Sequence, residues 1–297
     1  MNLERNALAA MLILGCCSPS FAEDSVKSTA RTETTPTRTT RIGAVAYSPA
    51  AVTIFQGLTR YLNKQGLPSE YVLYSNYDAL VAALDRGEIE IAWNTPLAHA
   101  QYHVKNQCSS QTLVMRDVDM GVRSVLVARA GSGIKSPADL AGKQLVLGSS
   151  QAAEATVLPL HYLKKEGVEF GKVKIVSLDA EVDGQGNPCA SPQHVLKALK
   201  EGRGDAGIIT TDLWNRIKDS SPGSLVSVWT SPPFSHCVFT ASSKFDKERA
   251  AKFTKLMQQM DPGEDETQDV MRLEGTKKWL PGSDEGFKDL VEALRAR

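Results

Sequence analysis

The chain has 297 residues, and its 34 Lys and Arg balance 34 Asp and Glu, so there is no basic footprint for nucleic acid. Past residue 41 about 255 residues remain, enough for one large domain or two lobes. Beyond the N-terminal leader no stretch is apolar enough for a transmembrane helix.

The N-terminus reads as an address. Residues 1–22 have the pattern of a signal peptide, with Arg5 before a short apolar core from Ala7 to Gly15. Two processing points compete: Ile13-Leu14-Gly15-Cys16, a lipobox-like run that would leave Cys16 lipidated, and Ser20-Phe21-Ala22, a small-x-Ala site. Residues 23–41 are rich in Thr, Ser and charge and too poor in large apolar groups to fold, so a disordered linker is expected there. Membrane association would come only through the N-terminal lipid. Cys108, Cys189 and Cys237 fall in the folded part, an odd number without metal-ligand spacing; a Cys189–Cys237 bridge is one option for them.

From residue 42 the pattern alternates. Strands are expected at Ile42–Ala46, Tyr71–Tyr74, Ile89–Trp93, Thr112–Met115, Arg123–Ala128, Gln144–Leu147, Val173–Ser177, Ala206–Thr210 and Leu225–Trp229. Val52, Phe55, Leu58 and Leu62 mark a helix ended by Gly66. Asn76 caps one that stops at Gly87, and Thr95-Pro96 opens another. Ser136-Pro137 starts a short helical turn, and helices begin near Pro192 and Asp212. After Phe239 the pattern is mostly helical, over Lys247–Met260, Glu266–Glu274 and Glu285–Ala296. The fold class is α/β with largely parallel sheets.

Two segments echo each other. Ala83 to Thr95 and Ala198 to Thr210 both read helix, Gly stop, acidic residue, buried strand, then a Thr that opens a helix. Two similar halves imply two lobes whose strand carboxyl ends face a shared cleft. Facing that cleft, Gln144–Leu147 runs into Gly148-Ser149-Ser150 and then a helix reaching about Lys165. Such a turn leaves helix N–H groups and two hydroxyls beside the positive end of a helix dipole, a seat for a small anion. The main-chain amides of 149–153 are expected to grip it.

In order along the chain, these motifs resemble one family. They are Gly43-Ala44-Val45-Ala46-Tyr47-Ser48-Pro49, Leu84 to Trp93, Ser136-Pro137-Ala138-Asp139-Leu140-Ala141-Gly142-Lys143, the Gly148 turn, Gly204-Asp205-Ala206-Gly207 and Ser231-Pro232-Pro233-Phe234. The chain resembles the periplasmic phosphate/phosphite/phosphonate-binding proteins of ABC transporters, from 42 to about 290. The resemblance implies a type II periplasmic-binding-protein fold of two hinged α/β lobes, one of 42–128 plus 229–297 and one of 129–228. Hinge crossings would lie near Ala128–Ala130 and Val228–Ser231, and ligand would favour closure.

Candidate ligand contacts are Tyr47, a cleft aromatic in the family, and Asn94 and Thr95 at the end of the third strand. Ser149 and Ser150 in the turn, Glu154, His161 two turns further on, and Asp205 complete the set. Where phosphonate binders of this family usually carry Ser-Thr-Ser-Gly, this chain has Ala152-Ala153-Glu154-Ala155. A carboxylate facing a dianion repels it unless a cation or proton intervenes. Either Glu154 points away, or an ammonium-bearing ligand uses Glu154 and Asp205 together.

No P-loop, HExxH or zinc spacing is read, no cofactor is expected, and His236-Cys237, adjacent in a presumed strand, should face opposite ways. The expected function is therefore that of a non-enzymatic, monomeric solute-binding component of an ABC importer. It would capture a small oxyanion such as phosphonate, phosphite or phosphate and hand it to a permease complex. A periplasmic sensor domain without a permease, and a cleft enzyme on the same fold, are the alternatives.

Overall fold

A computed structural model describes residues 38–181, 190–219 and 223–296. The leader, Cys16 and most of the spacer lie outside the described residues, as does Cys189.

The spacer ends earlier than the sequence suggests. β1 (Thr40–Val45) starts at a fully buried Thr40. Just ahead of it, Arg38 donates to Glu90 Oε1 at 2.9 Å, and the Arg41 backbone N–H donates to Glu90 Oε2 at 2.8 Å. A buried strand start and a shared carboxylate fix this stretch despite its polar composition.

The chain then alternates through α1 (Ala51–Lys64), β2 (Ser69–Tyr74), α2 (Tyr77–Arg86), β3 (Ile91–Asn94), α3 (Pro96–Lys105) and β4 (Gln111–Arg116). Of the four residues that mark α1, Phe55, Leu58 and Leu62 are buried in the first core, whereas Val52 is half exposed and Ile54 takes the inward position instead. Gly87 closes α2 in the left-handed region at φ 72°. β5 (Ser124–Arg129) and β6 (Gln144–Leu147) lead to a π-helical turn over Ala153–Val157 that continues as α4 (Leu158–Lys165). Pro159 lies at the start of α4. It lacks the N–H that would donate one turn back, so the wider register forms where an α-helical bond is missing anyway.

Then come β7 (Lys174–Ser177), α5 (Pro192–Lys200), β8 (Ala206–Thr210), α6 (Thr211–Ile217), β9 (Leu225–Thr230), β10 (Val238–Ala241), α7 (Lys247–Gln258), α8 (Gln268–Leu273), β11 (Trp279–Pro281) and α9 (Lys288–Arg295). The internal echo holds in structure. Thr95 Oγ1 accepts from the Ala98 N–H at 3.3 Å to cap α3, and Thr210 Oγ1 accepts from the Leu213 N–H at 3.3 Å to cap α6.

Two sheets form, in the orders β11-β4-β10-β3-β1-β2 and β7-β6-β8-β5-β9. β1 pairs in parallel with β2 and β3, as β6 does with β7 and β8. β10 and β5 pair antiparallel with both their neighbours, so each sheet is mixed rather than largely parallel. β10 and β5 are the strands by which the chain enters a sheet directly from the other lobe; β11, which also pairs antiparallel with β4, is an edge strand. β5 also moves the lobe boundary. The sequence placed residues up to 128 in the first lobe, but Ser124–Ala128 pairs with Thr210–Ala206 in the second sheet. The first crossing is therefore Asp117–Arg123, not Ala128–Ala130, and the second runs from Ser231 to Cys237. The two crossings pair with each other: Val122 and Phe234 exchange backbone hydrogen bonds of 2.9 Å in an antiparallel bridge, and the His236 N–H donates to the Asp119 carbonyl at 2.8 Å.

The core of the first lobe gathers on Trp93, Phe239 and Trp279, with centroids 4.6 Å apart for Trp93–Phe239 and 5.7 Å for Phe239–Trp279. Another apolar cluster joins Leu97 and Ala100 of α3 to Leu158 and Tyr162 of α4 through Phe234 and Leu290. α9 thus packs against both lobes, and Tyr162 donates to Asp289 at 2.7 Å across that junction.

Candidate ligand-binding cleft

The register puts the carboxyl ends of the parallel strands of both sheets beside the crossings. There a cleft of about 660 Å³ opens. Asn76, Tyr77 and Asp78 line it from the start of α2, and Thr95 to Ala98 from the start of α3. Ser149, Gln151 and Ala152–Glu154 line the opposite wall, and His236 comes from the second crossing. Asn76 Oδ1 accepts from the Ala79 N–H at 2.8 Å, so two capped helix N-termini open on one space.

The Gly-Ser-Ser turn is built differently from expectation. Its amides are already used: the Ser149 N–H donates to the Ala190 carbonyl at 2.9 Å, Ser150 to Asp179 Oδ1 at 3.1 Å, Gln151 to Ser149 Oγ at 3.1 Å and Ala152 to the Ser149 carbonyl at 3.0 Å. The Ser150 hydroxyl donates to Asp179 Oδ2 at 2.6 Å. Ser149 lines the cleft, whereas Ser150 is tied to Asp179 and does not. The turn is a wall held by its own hydrogen bonds, not a set of open donors.

Glu154 points inward. Its Oε2 lies 3.3 Å from His236 Nε2, while His236 Nδ1 lies 3.2 Å from Asp119 Oδ1. Burial disfavours ionisation of Glu154, but the hydrogen bond and charge of His236 outweigh it and hold the carboxyl below its usual range. Burial likewise opposes a charged His236, yet Cys237, Asp119 and Glu154 raise it well above the usual histidine value. The ring is an imidazolium clasped between two carboxylates. It is the cation the sequence required beside Glu154.

From Asp119 the chain of charge continues. Arg116 Nε and Nη2 donate to Asp119 Oδ2 and Oδ1 at 2.6 and 2.9 Å, a bidentate pair. Arg116 Nη1 reaches Glu274 Oε2 at 3.1 Å, and the Tyr47 hydroxyl donates to Glu274 Oε1 at 2.9 Å. Burial, against the pull of Arg116 and Tyr47, raises the Glu274 carboxyl above its usual range. Arg116 and Asp119, three residues apart, carry no motif, and Glu274 joins them from 158 residues away in the chain. His236 was legible only as a neighbour of Cys237. The two lie in the irregular second crossing, where strand alternation does not apply, and Cys237 Sγ approaches His236 Nδ1 at 3.2 Å. Cys108 and Cys237 are free thiols.

The remaining candidates separate. Thr95, Ser149 and Glu154 line the cleft together. Tyr47 is half exposed and bound to Glu274 beside it. Asn94 is buried, and both atoms of its side-chain amide lack a partner among the described residues. His161 faces α9, with Nε2 3.8 Å from Glu292. Asp205 precedes β8, at the end of the sheet away from the cleft; its Oδ2 accepts from the Gln144 N–H at 2.9 Å. A ligand shared by Glu154 and Asp205 would have to span the length of the sheet.

Comparison with known proteins agrees with this architecture. Residues 42–287 match the family model of ABC transporter, phosphonate, periplasmic substrate-binding proteins. The chain belongs to that family. Its members are solute-binding proteins, not enzymes. PhnD1 from Prochlorococcus marinus, solved with methylphosphonate, is similar in structure, with TM-score 0.63, 18% identity and coverage of 87% of this chain and 97% of that one. A Xanthomonas citri protein bound to chloride ion superposes with TM-score 0.67 at 15% identity, covering 87% and 98% of the two chains. The aliphatic sulphonate binding protein SsuA from Escherichia coli superposes with TM-score 0.50 at 13% identity, covering 86% and 78%. At these identities the likeness speaks for the type II two-lobed fold. Among the described residues no helix is long and apolar enough to cross a membrane.

Proposed function

We propose that this member of the family captures a small phosphorus oxyanion (a phosphonate, phosphite or phosphate) in the cleft and delivers it to the permease of an ABC importer. The observation that carries the reading is the convergence of the α2 and α3 N-termini, capped by Asn76 and Thr95, on one space walled by the other lobe. With the turn amides at 149–152 spent internally, the two helix starts are the anion seat. Asp78, an exposed carboxylate on the first turn of α2, lines the same space and would match an amino group on an organophosphonate. His236 neutralises Glu154, so the opposite wall does not repel the anion.

Calorimetric titration with phosphate, phosphite, methylphosphonate and 2-aminoethylphosphonate, with methanesulfonate as the sulfur counterpart, tests this. One-to-one binding of at least one phosphorus oxyanion in preference to the sulfonate is expected. A stronger response to 2-aminoethylphosphonate than to methylphosphonate would give Asp78 its role. Absence of binding by every phosphorus compound sinks the reading.

A further inference from the structure

A second cavity, of about 310 Å³, shares no lining residue with the cleft. His99 and His103 of α3 and Asp284 ahead of α9 line it, with Cys108, Phe287 and Arg295 among their neighbours. We propose that His99, His103 and Asp284 form a binding site for a divalent transition-metal cation of the zinc class.

The two histidines are four residues apart on one helix, so both rings project from one face. They stack with centroids 5.6 Å apart. Each Nδ1 is held by a hydroxyl: His99 by Thr240 Oγ1 at 2.8 Å, and His103 by Ser110 Oγ at 2.7 Å. With Nδ1 donating to those oxygens, both rings offer the Nε2 lone pair, the second-sphere arrangement usual for metal-bound histidine. His99 is fully buried, and its Nε2 has no partner among the described residues. A buried polar atom left in that state calls for a ligand. One imidazole nitrogen from each histidine and a carboxylate oxygen of Asp284 all lie within 4.8 Å of one another. Four-coordinate zinc with bonds of about 2.0–2.2 Å needs them somewhat closer. Asp284 is exposed and accepts from the Thr112 hydroxyl, so binding the metal more closely would mean giving up that bond.

Two imidazoles and one carboxylate suit zinc or its late transition-metal neighbours better than calcium or magnesium, which prefer oxygen ligands. The cavity leaves space for water as a fourth ligand. Of its two cationic side chains, Lys288 pairs with Glu285 outside the cavity lining, and Arg295 is held at the cavity wall by donating to Cys108 Sγ at 3.1 Å. No motif announces the site, because a histidine pair at this spacing without a third motif residue reads as an ordinary helix face. Bound metal would fasten the lead-in of α9 to α3. The inference does not depend on which anion the cleft holds.

The test is calorimetric titration of Zn²⁺ into chelator-stripped protein in phosphate-free buffer, with thermal unfolding and Co²⁺ absorption alongside. One-to-one binding, a raised Tm and the visible bands of a four-coordinate Co²⁺ site are expected. Asp284→Asn and His103→Gln should each weaken binding at least tenfold. His103 is buried, so if that variant does not fold, Asp284→Asn at an exposed position decides. No stoichiometric binding by the wild type, or unchanged binding by Asp284→Asn, overturns the proposal. So does loss of binding in Cys237→Ser instead, which would place the metal at Asp119, His236 and Cys237.

Discussion

Glu154 Oε2 and His236 Nε2, 3.3 Å apart, tie the wall of the second lobe to the crossing that returns the chain to the first. The pair is one end of an alternating run of charge, Glu154–His236–Asp119–Arg116–Glu274, that passes through both crossings and ends at the Tyr47 hydroxyl. His236, Asp119 and Arg116 each face an opposite charge on either side, which is how buried ions are tolerated.

Stability should therefore depend on pH through His236. Its folded pKa is raised from 6.5, so its contribution is complete below that value and is lost as pH rises toward the folded pKa. Glu274, also raised, acts in the same sense, whereas Asp119 and Glu154, both lowered, add stability that is lost in acid as pH falls through their folded values. The Tm gap between wild type and His236→Gln should be widest near pH 5–6 and narrow steadily toward alkaline pH. A gap that widens with pH would contradict an imidazolium here.

Glu154→Gln separates the structural role of this carboxylate from its effect on ligand. Breaking one side of a buried pair should cost about 3 kcal/mol in denaturant unfolding. Anion affinity should move the other way, tightening roughly fivefold, on the order of 1 kcal/mol for removing one negative charge near the ligand. Weaker anion binding in this variant would mean that Glu154 serves the ligand directly.

The lobes, the echo and most elements were legible because they rest on local rules: apolar spacing on α1, the caps Asn76 and Thr95, the stop at Gly87. What was not legible depends on long-range pairing. β10 is four residues and β11 three, with Pro281, too short for a periodic signal; they are strands because the first sheet recruits them. β5 reads as a strand, but nothing local says which sheet it joins. In the site, Thr95 and Glu154 could be found by motif position. Arg116, Asp119 and Glu274 could not, since Arg116 and Asp119 read only as a local i,i+3 ion pair, and Glu274 and His236 reach it through long-range contacts. The open-donor reading fails at 149 and 150 for a related reason: the Ala190 carbonyl and Asp179, distant in sequence, take those amides, while 151 and 152 donate locally to Ser149.

Gly148 is required by approach rather than by dihedral angle. A Cβ there would sit 2.5 Å from the Ala190 carbonyl oxygen, the same oxygen that receives the Ser149 N–H. Gly148→Ala should destabilise by about 2 kcal/mol, as small-to-large changes in packed sites do. It should also weaken anion binding by displacing the wall at Ser149. Urea unfolding within 0.5 kcal/mol of wild type, a ~neutral result on the usual scale for surface changes, would show that the segment before α5 moves aside freely.

The internal echo supplies the control for the anion seat. Thr95 and Thr210 occupy equivalent caps, each accepting one N–H at 3.3 Å, but only Thr95 lines the cleft. Thr95→Val and Thr210→Val should each lose about 1 kcal/mol of stability with the helix cap. Only Thr95→Val should raise the Kd of a bound phosphorus oxyanion, by about tenfold, because it alone removes a hydroxyl and loosens the dipole end that faces the ligand. Equal losses of affinity in both variants would assign the effect to general loosening of the lobes, and the start of α3 would no longer be the seat.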